Sequence, residues 1–187
     1  LTWWCLDQGV DLHEPEAVTA AAANLPLTIS TDPDDPRVVV GGQDVGAAIR
    51  ETRISVRVST VASVIPVREV MRDLQRDLIS AAGQSFGGVV VEGRDITTVV
   101  APDAPVRVLL TASQEARLAR RTKELHGAVD EASVAATRSQ IVDRDKADSA
   151  VTQFTVAADG VTTIDTSELD LDGSVEAVLR VVEAART

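Results

Sequence analysis

Three groups of residues in this sequence have the types and spacings from which chemistry can be built. Gly93-Arg94-Asp95 follows the apolar run Val89–Val91 after a single residue, Glu92. Arginine offers a planar fork suited to a phosphate. A carboxylate beside it can accept a hydrogen bond from the exocyclic amine of a base. The same pair also reads as a local ion pair with a helix cap. Arg117, Arg120 and Arg121 stand at helical spacings of three and four, on adjoining faces. They could neutralise a phosphoryl group in transfer, or form a solvated face paired with Glu115 and Glu124. Arg144 and Asp148 lie four apart. They could pair with each other along a helix, a contact worth about 0.2–0.5 kcal/mol, or bond the hydroxyls of a ribose.

Other chemistries find little support. His13 and His126 are the only histidines and Cys5 the only cysteine. They make neither a metal quartet nor a catalytic triad, so no metal-ligating residue is assigned and both histidines read as surface residues. A lone cysteine cannot form an intrachain disulfide, which fits a reducing, cytoplasmic setting. The net charge of −11 disfavours general binding to nucleic acid, although a local arginine cluster can still hold a small phosphate ligand. No apolar run approaches the roughly 20 residues needed to span a bilayer, and the opening residues carry no basic secretory region. With 187 residues, 44% of them hydrophobic, the chain suffices for one core domain carrying a small insert.

The elements that must position these groups follow from local patterns. LTWWCLDQG reads as the end of a helix stopped at Gly9, so the sequence is expected to begin inside a larger protein. Trp3 and Trp4 are expected to pack that helix against a part of the core lying outside the sequence. Residues 14–24 suit a helix, with Pro15 at its first position. Residues 27–31 and 37–41 read as strands joined by the DPDDP turn, a solvated connection. Val67, Val70, Met71, Leu74 and Leu78 mark an amphipathic helix over 67–79. Gly83, Gly87 and Gly88 then break the chain.

Short apolar strands are expected at 88–92, 106–112 and 162–166. Helices are expected at 113–125, at 130–147 and at the C-terminus, the last with Val175, Val178, Leu179 and Val182 on one face. Such alternation predicts an α/β fold, a parallel sheet covered by helices on both faces. Ligands of such sheets bind beyond the carboxyl ends of the strands. That rule points at Glu92–Asp95, at the residues after Ala112 and at Asp165–Ser167.

Taken together, VVVEGRDITTVVAPDAPVRVLLTASQEARLARR resembles the signature of the bacterial cytidylate kinases. Residues 43–76 resemble that family's nucleotide-binding insert, and RDKADS and VTTIDTS its C-terminal third. The resemblance implies a P-loop kinase-like fold with a five-stranded parallel sheet and a small β-rich insert. Residues 1–82 would form the nucleoside-monophosphate-binding region. Residues 83–187 would form the core, with an arginine-bearing lid near 113–126. The strands at 88–92, 106–112 and 162–166 would be three of the five, the others lying upstream of Leu1. It further implies ATP-dependent phosphorylation of CMP and dCMP, with ATP and Mg²⁺ as cofactors and a monomeric protein. Ser59, Arg68 and Asp95 would recognise cytosine, Arg94 the acceptor phosphate, and Arg144 and Asp148 the ribose. Arg117, Arg120 and Arg121 would steady charge on the moving phosphoryl group.

The sequence departs from the family pattern in places. It contains no G-x-x-G-x-G-K-[ST] loop, which cradles ATP phosphates in the family, and without that loop these residues alone are not expected to catalyse. Either the sequence is the remainder of a complete enzyme, or it is a truncation without kinase activity. Val151 stands where the family often has an arginine, and Thr97 where a glycine is common. Two other functions remain open at this point: a kinase for another nucleoside monophosphate such as UMP, and a non-catalytic nucleotide-binding domain. A purely structural α/β module is a third, and the arginine-dense face in an acidic chain weighs against it.

Overall fold

The structure is a computed structural model that describes residues 1–32, 34–126 and 156–186. It divides into two compact units, Leu1–Val91 and Glu92–Thr187. The boundary expected from sequence, at 82/83, falls inside a continuous helix.

The first unit opens with α1 (Thr2–Asp7) and α2 (Pro15–Ala23). Pro15 begins α2, where its missing N–H costs nothing. A three-stranded antiparallel sheet follows, β1 (Leu27–Ile29), β2 (Val38–Val40) and β3 (Gln43–Asp44), in that order. Leu27 faces Val40 and Val40 faces Gln43. The β2–β3 turn is Gly41-Gly42, with φ of 59° and 84°. Two successive positive φ values are what a tight two-residue hairpin turn demands, and glycine meets them without Cβ strain. A 3-10 turn (Ala48–Arg50) and two short helices, α3 (Thr52–Ser55) and α4 (Val58–Ala62), lead into α5 (Ile65–Phe86).

Helix α5 is longer than the expected 67–79. Gly83 is accommodated within it, and the helix closes only at Gly87, whose amide bonds the Gly83 carbonyl at 2.9 Å. A single interior glycine weakens a helix by about 1 kcal/mol, which 22 residues of ladder absorb.

Two apolar clusters hold this unit, and α1 contributes to both. Cys5 joins Leu12, Val18, Ala22, Val61 and Val67. Trp3 joins Val40, Val45 and Ile54, with Trp4 packed on that cluster. The tryptophans therefore pack on the small sheet and the helical turns that follow it. Apolar surface is buried where the nearest apolar partner lies, and β2 supplies it here. Burial also pushes the Cys5 thiol above its ordinary pKa, which keeps it protonated and unreactive.

The second unit contains a π-helical turn (Ile96–Val100), β4 (Val108–Thr111), α6 (Gln114–His126), β5 (Thr162–Asp165) and α7 (Leu171–Ala184). Strands β4 and β5 pair in parallel, Val108 with Thr162 through Thr111 with Asp165. A parallel pair needs a long crossover, and α6 lies within it. The fold class is thus mixed α/β with a parallel sheet and helices.

One expected element, at the boundary in sequence between the two units, is missing. The strand expected at 88–92 is absent: these residues have no regular structure and Val90 is 97% exposed. A parallel strand has no local hydrogen bonds of its own. Without a ladder partner its apolar residues gain nothing from extension. The last helix forms as expected, and its Val175 and Leu179 are about half exposed. A parallel pair of two four-residue strands is too narrow to cover them. The helix expected at 130–147 lies outside the described residues.

A Cβ at Gly41 would meet the Trp4 ring at 3.1 Å in addition to its positive φ. Gly41→Ala is expected to lower stability by about 2–5 kcal/mol, the sum of left-handed strain and a crowded contact. Urea unfolding monitored by tryptophan fluorescence measures this, and an unchanged midpoint would show that the turn relaxes freely.

Candidate functional site

The carboxyl ends of β4 and β5 are closed by a chain of short-range polar contacts. Thr166 donates twice to the Thr111 carbonyl, from its amide at 2.8 Å and from Oγ1 at 3.0 Å. Thr111 Oγ1 in turn donates to the Ile164 carbonyl at 3.4 Å. One step beyond, the Ser113 amide donates to Ser167 Oγ at 2.7 Å. Ser167 Oγ donates to Asp165 Oδ1 at 2.6 Å, and the Ser167 amide donates to the same oxygen at 2.9 Å. Ser113 also starts α6, its Oγ accepting from the Ala116 amide at 3.1 Å. That arrangement satisfies an orphan donor of the helix N-terminus.

Helix α6 carries Arg117, Arg120 and Arg121. Arg120 reaches the strand ends directly. Its Nη1 donates to Thr166 Oγ1 at 3.1 Å, and its Nη2 donates to the carbonyls of Thr166 and, at 2.9 Å, of Leu169. Those carbonyls belong to the connection between β5 and α7. Asp170 then caps α7, its Oδ1 accepting from the Gly173 amide at 2.8 Å.

Arg94 is exposed and Asp95 half-buried, immediately before the π-helical turn. The Asp95 carbonyl accepts from the amides of Val99 and Val100 at 2.8 and 3.3 Å. The Ile96 side chain folds back so far that a Cβ on residue 93 would lie 2.8 Å from it, so the glycine before Arg94 is required by close packing. π-Helical turns concentrate at functional sites. Thr97 sits in this turn, and its carbonyl accepts from Arg107 Nη1 at 3.4 Å, while Arg107 Nη2 donates to the Asp159 carbonyl at 3.0 Å. An arginine at the head of an apolar strand gave no sign of this anchoring role in the sequence.

Ser59 and Arg68 lie in the first unit. Ser59 is exposed on α4, and Arg68 is half-buried in the first turn of α5. Val61 and Val67, each within two residues of them, are buried in the Cys5 cluster and fix both helices. Arg144 and Asp148, like Val151, lie outside the described residues. A shallow groove between α2 and the start of α5, lined by Pro15, Glu16, Thr19, Ala20, Ala23 and Pro66, contains none of the residues singled out from sequence. Among the described residues no three of His, Cys, Asp and Glu gather as a metal site.

Comparison with known proteins decides the family. The family model described as "Cytidylate kinase" matches residues 1–184. The chain is 42% identical over 187 residues to a cytidylate kinase of Streptomyces griseus, covering 100% of this chain and 78% of that protein. The same figures hold for a cytidylate kinase of Streptomyces avermitilis. A cytidylate kinase of Cutibacterium acnes is 43% identical over 175 residues, which is 93% of this chain and 75% of that protein. The chain belongs to the cytidylate kinase family.

In this cytidylate kinase chain the strand-end contacts have a titratable member. The two bonds from Ser167 hold the Asp165 carboxyl below the usual aspartate range, the side-chain bond contributing most. A depressed carboxylate pKa favours the folded state above the unfolded pKa, and that contribution is lost as pH falls through the folded value. Ser167→Ala is therefore expected to move the Asp165 pKa upward, toward an ordinary aspartate, as read by carbon-detected NMR titration. An unmoved pKa would mean that the backbone amide alone sets it.

Proposed function

We propose that this chain binds CMP or dCMP and serves the transfer of the terminal phosphoryl group of ATP to it, giving the corresponding diphosphate. The observation that carries this reading is a family match running from residue 1 to 184 around an intact Gly93-Arg94-Asp95 unit. The close packing of Ile96 against Gly93 supports a fixed presentation of Arg94 and Asp95.

Each residue has a role that its chemistry can perform. Asp95, with Ser59 and Arg68, recognises the cytosine: a carboxylate accepts from the exocyclic amine, whereas uracil would turn a carbonyl toward it. A polar group left without its partner in a closed site costs about 1–3 kcal/mol, so a carboxylate at the base favours cytosine over uracil. Arg94 holds the acceptor phosphate through its planar fork. Arg144 and Asp148 take the ribose hydroxyls. The arginines of α6 supply the positive charge that the transferring phosphoryl group requires. Phosphoryl transfer needs little covalent help from a protein, and alignment with charge stabilisation suffices.

ATP is the donor in this reading. The described residues do not form a cage for Mg²⁺, and no step here runs through it. Mg²⁺ is commonly bound by one or two carboxylates together with substrate phosphates, and is read as arriving with ATP. The substrates are small molecules, and the net charge of −11 supports the absence of nucleic-acid partners. Among the described residues no helix is long and apolar enough to cross a membrane. A monomeric, cytoplasmic protein completes the reading.

Calorimetric titration with CMP, UMP and AMP tests it. CMP is expected to bind in clear preference to the other two. Asp95→Ala is expected to weaken CMP about ten- to a hundredfold, the loss of a hydrogen bond to a charged group, with UMP little changed. Equal weakening of CMP and UMP in the variant would remove Asp95 from base recognition.

A further inference from the structure

By spacing, Arg120 belongs with the cations of α6, yet its guanidinium is committed to the backbone. Both hydrogens of Nη2 go to peptide carbonyls, those of Thr166 and Leu169, and Nη1 donates to Thr166 Oγ1 at 3.1 Å. Thr166 is only 6% exposed. It is also the residue that closes β5 onto β4 through the Thr111 carbonyl. The carbonyls served lie where the chain leaves β5 and has not yet entered α7. The Thr166 carbonyl also accepts from the Leu169 amide at 3.1 Å, a turn bond, whereas the Leu169 carbonyl, outside both ladder and helix, takes Arg120 as its partner. A lysine could carry the same charge but not the same planar set of bonds.

The geometry points to Arg120 as a positioning residue: a strut that fixes α6 against the β5–α7 connection, and that affects turnover through the placement of α6 rather than through contact with a phosphate. This rests on the phosphoryl-transfer reading for the meaning of α6. The bonds themselves stand independently of it. Thr166 is the other half of the strut, and being uncharged it separates placement from charge.

The test compares Arg120→Lys, Thr166→Val and the double variant, all milder than an alanine that could fail to fold. In amide hydrogen exchange, each single variant is expected to speed exchange at Thr166 and Leu169 about tenfold, as loss of bonds to a charged donor would. In turnover of ATP with CMP, each is expected to lower kcat about tenfold with KM for CMP within about twofold. The double variant should be little worse than either single one, since the residues act as a unit. Full activity in Arg120→Lys would overturn the proposal, because charge alone would then suffice. So would a loss in Arg120→Lys that Thr166→Val does not share, because that pattern marks contact with substrate. These residues contain no phosphate loop, so where they show no turnover the proposal is judged by exchange. Unchanged rates at Thr166 and Leu169 in Arg120→Lys would then overturn the strut.

Discussion

The double donation from Thr166 to the Thr111 carbonyl is the contact on which the second unit's site depends. Two parallel strands of four residues each bury little and have few ladder bonds between them. A pair that small is held as much by what closes its ends as by its own ladder. The closure is local and almost wholly polar: Thr111 with Thr166, Ser113 with Ser167, Ser167 with Asp165. Single bonds of this kind contribute only about 0.5–1.5 kcal/mol. Here they share residues, so they form and break together. The same end of the sheet is where α6 starts, and its direction is set by the strand that feeds it.

In the first unit the equivalent constraint is apolar. Helix α1 is six residues long, yet it serves two clusters because Trp3 and Cys5 lie on different sides of it. One side meets the small sheet, the other meets α2, α4 and α5. Ser59 and Arg68 inherit their positions from this packing. Val61 is 4% exposed and Val67 2% exposed, each within two residues of a candidate contact. A polar residue on a short helix is only as well placed as the apolar residue that anchors that helix.

Much of this was legible in the sequence because it is local. The pattern Val67, Val70, Met71 found α5, Pro15 found the start of α2, and the apolar runs found β2, β4 and β5. What failed was non-local. Val89–Val91 has every mark of a buried strand, but extension is stable only beside a partner, and sequence does not show partners. The Trp3–Val40 packing joins residues far apart in the chain. The Gly41-Gly42 hairpin turn was not read from sequence, and β3 went unassigned because two residues carry no alternation to recognise. Of the site, the motif residues were found by type and spacing. The engagement of Arg120 with Thr166 spans 46 positions and leaves no local trace.

Counting arginines in an acidic chain therefore cannot by itself locate a phosphate site. Arg37, Arg53, Arg72 and Arg180 pair with acidic neighbours at the surface, and such pairs are screened and contribute little. Arg107 and Arg120 do something different: they donate to neutral carbonyls. A carbonyl satisfies the donor but does not cancel the charge. Arg120 can thus hold α6 in place while its positive charge still adds to the field at the strand ends, where a transferring phosphoryl group would need it. Geometry and electrostatics are separable functions of one guanidinium. A lysine there would preserve the second and lose the first, and the difference between them measures how much of the site's chemistry depends on position.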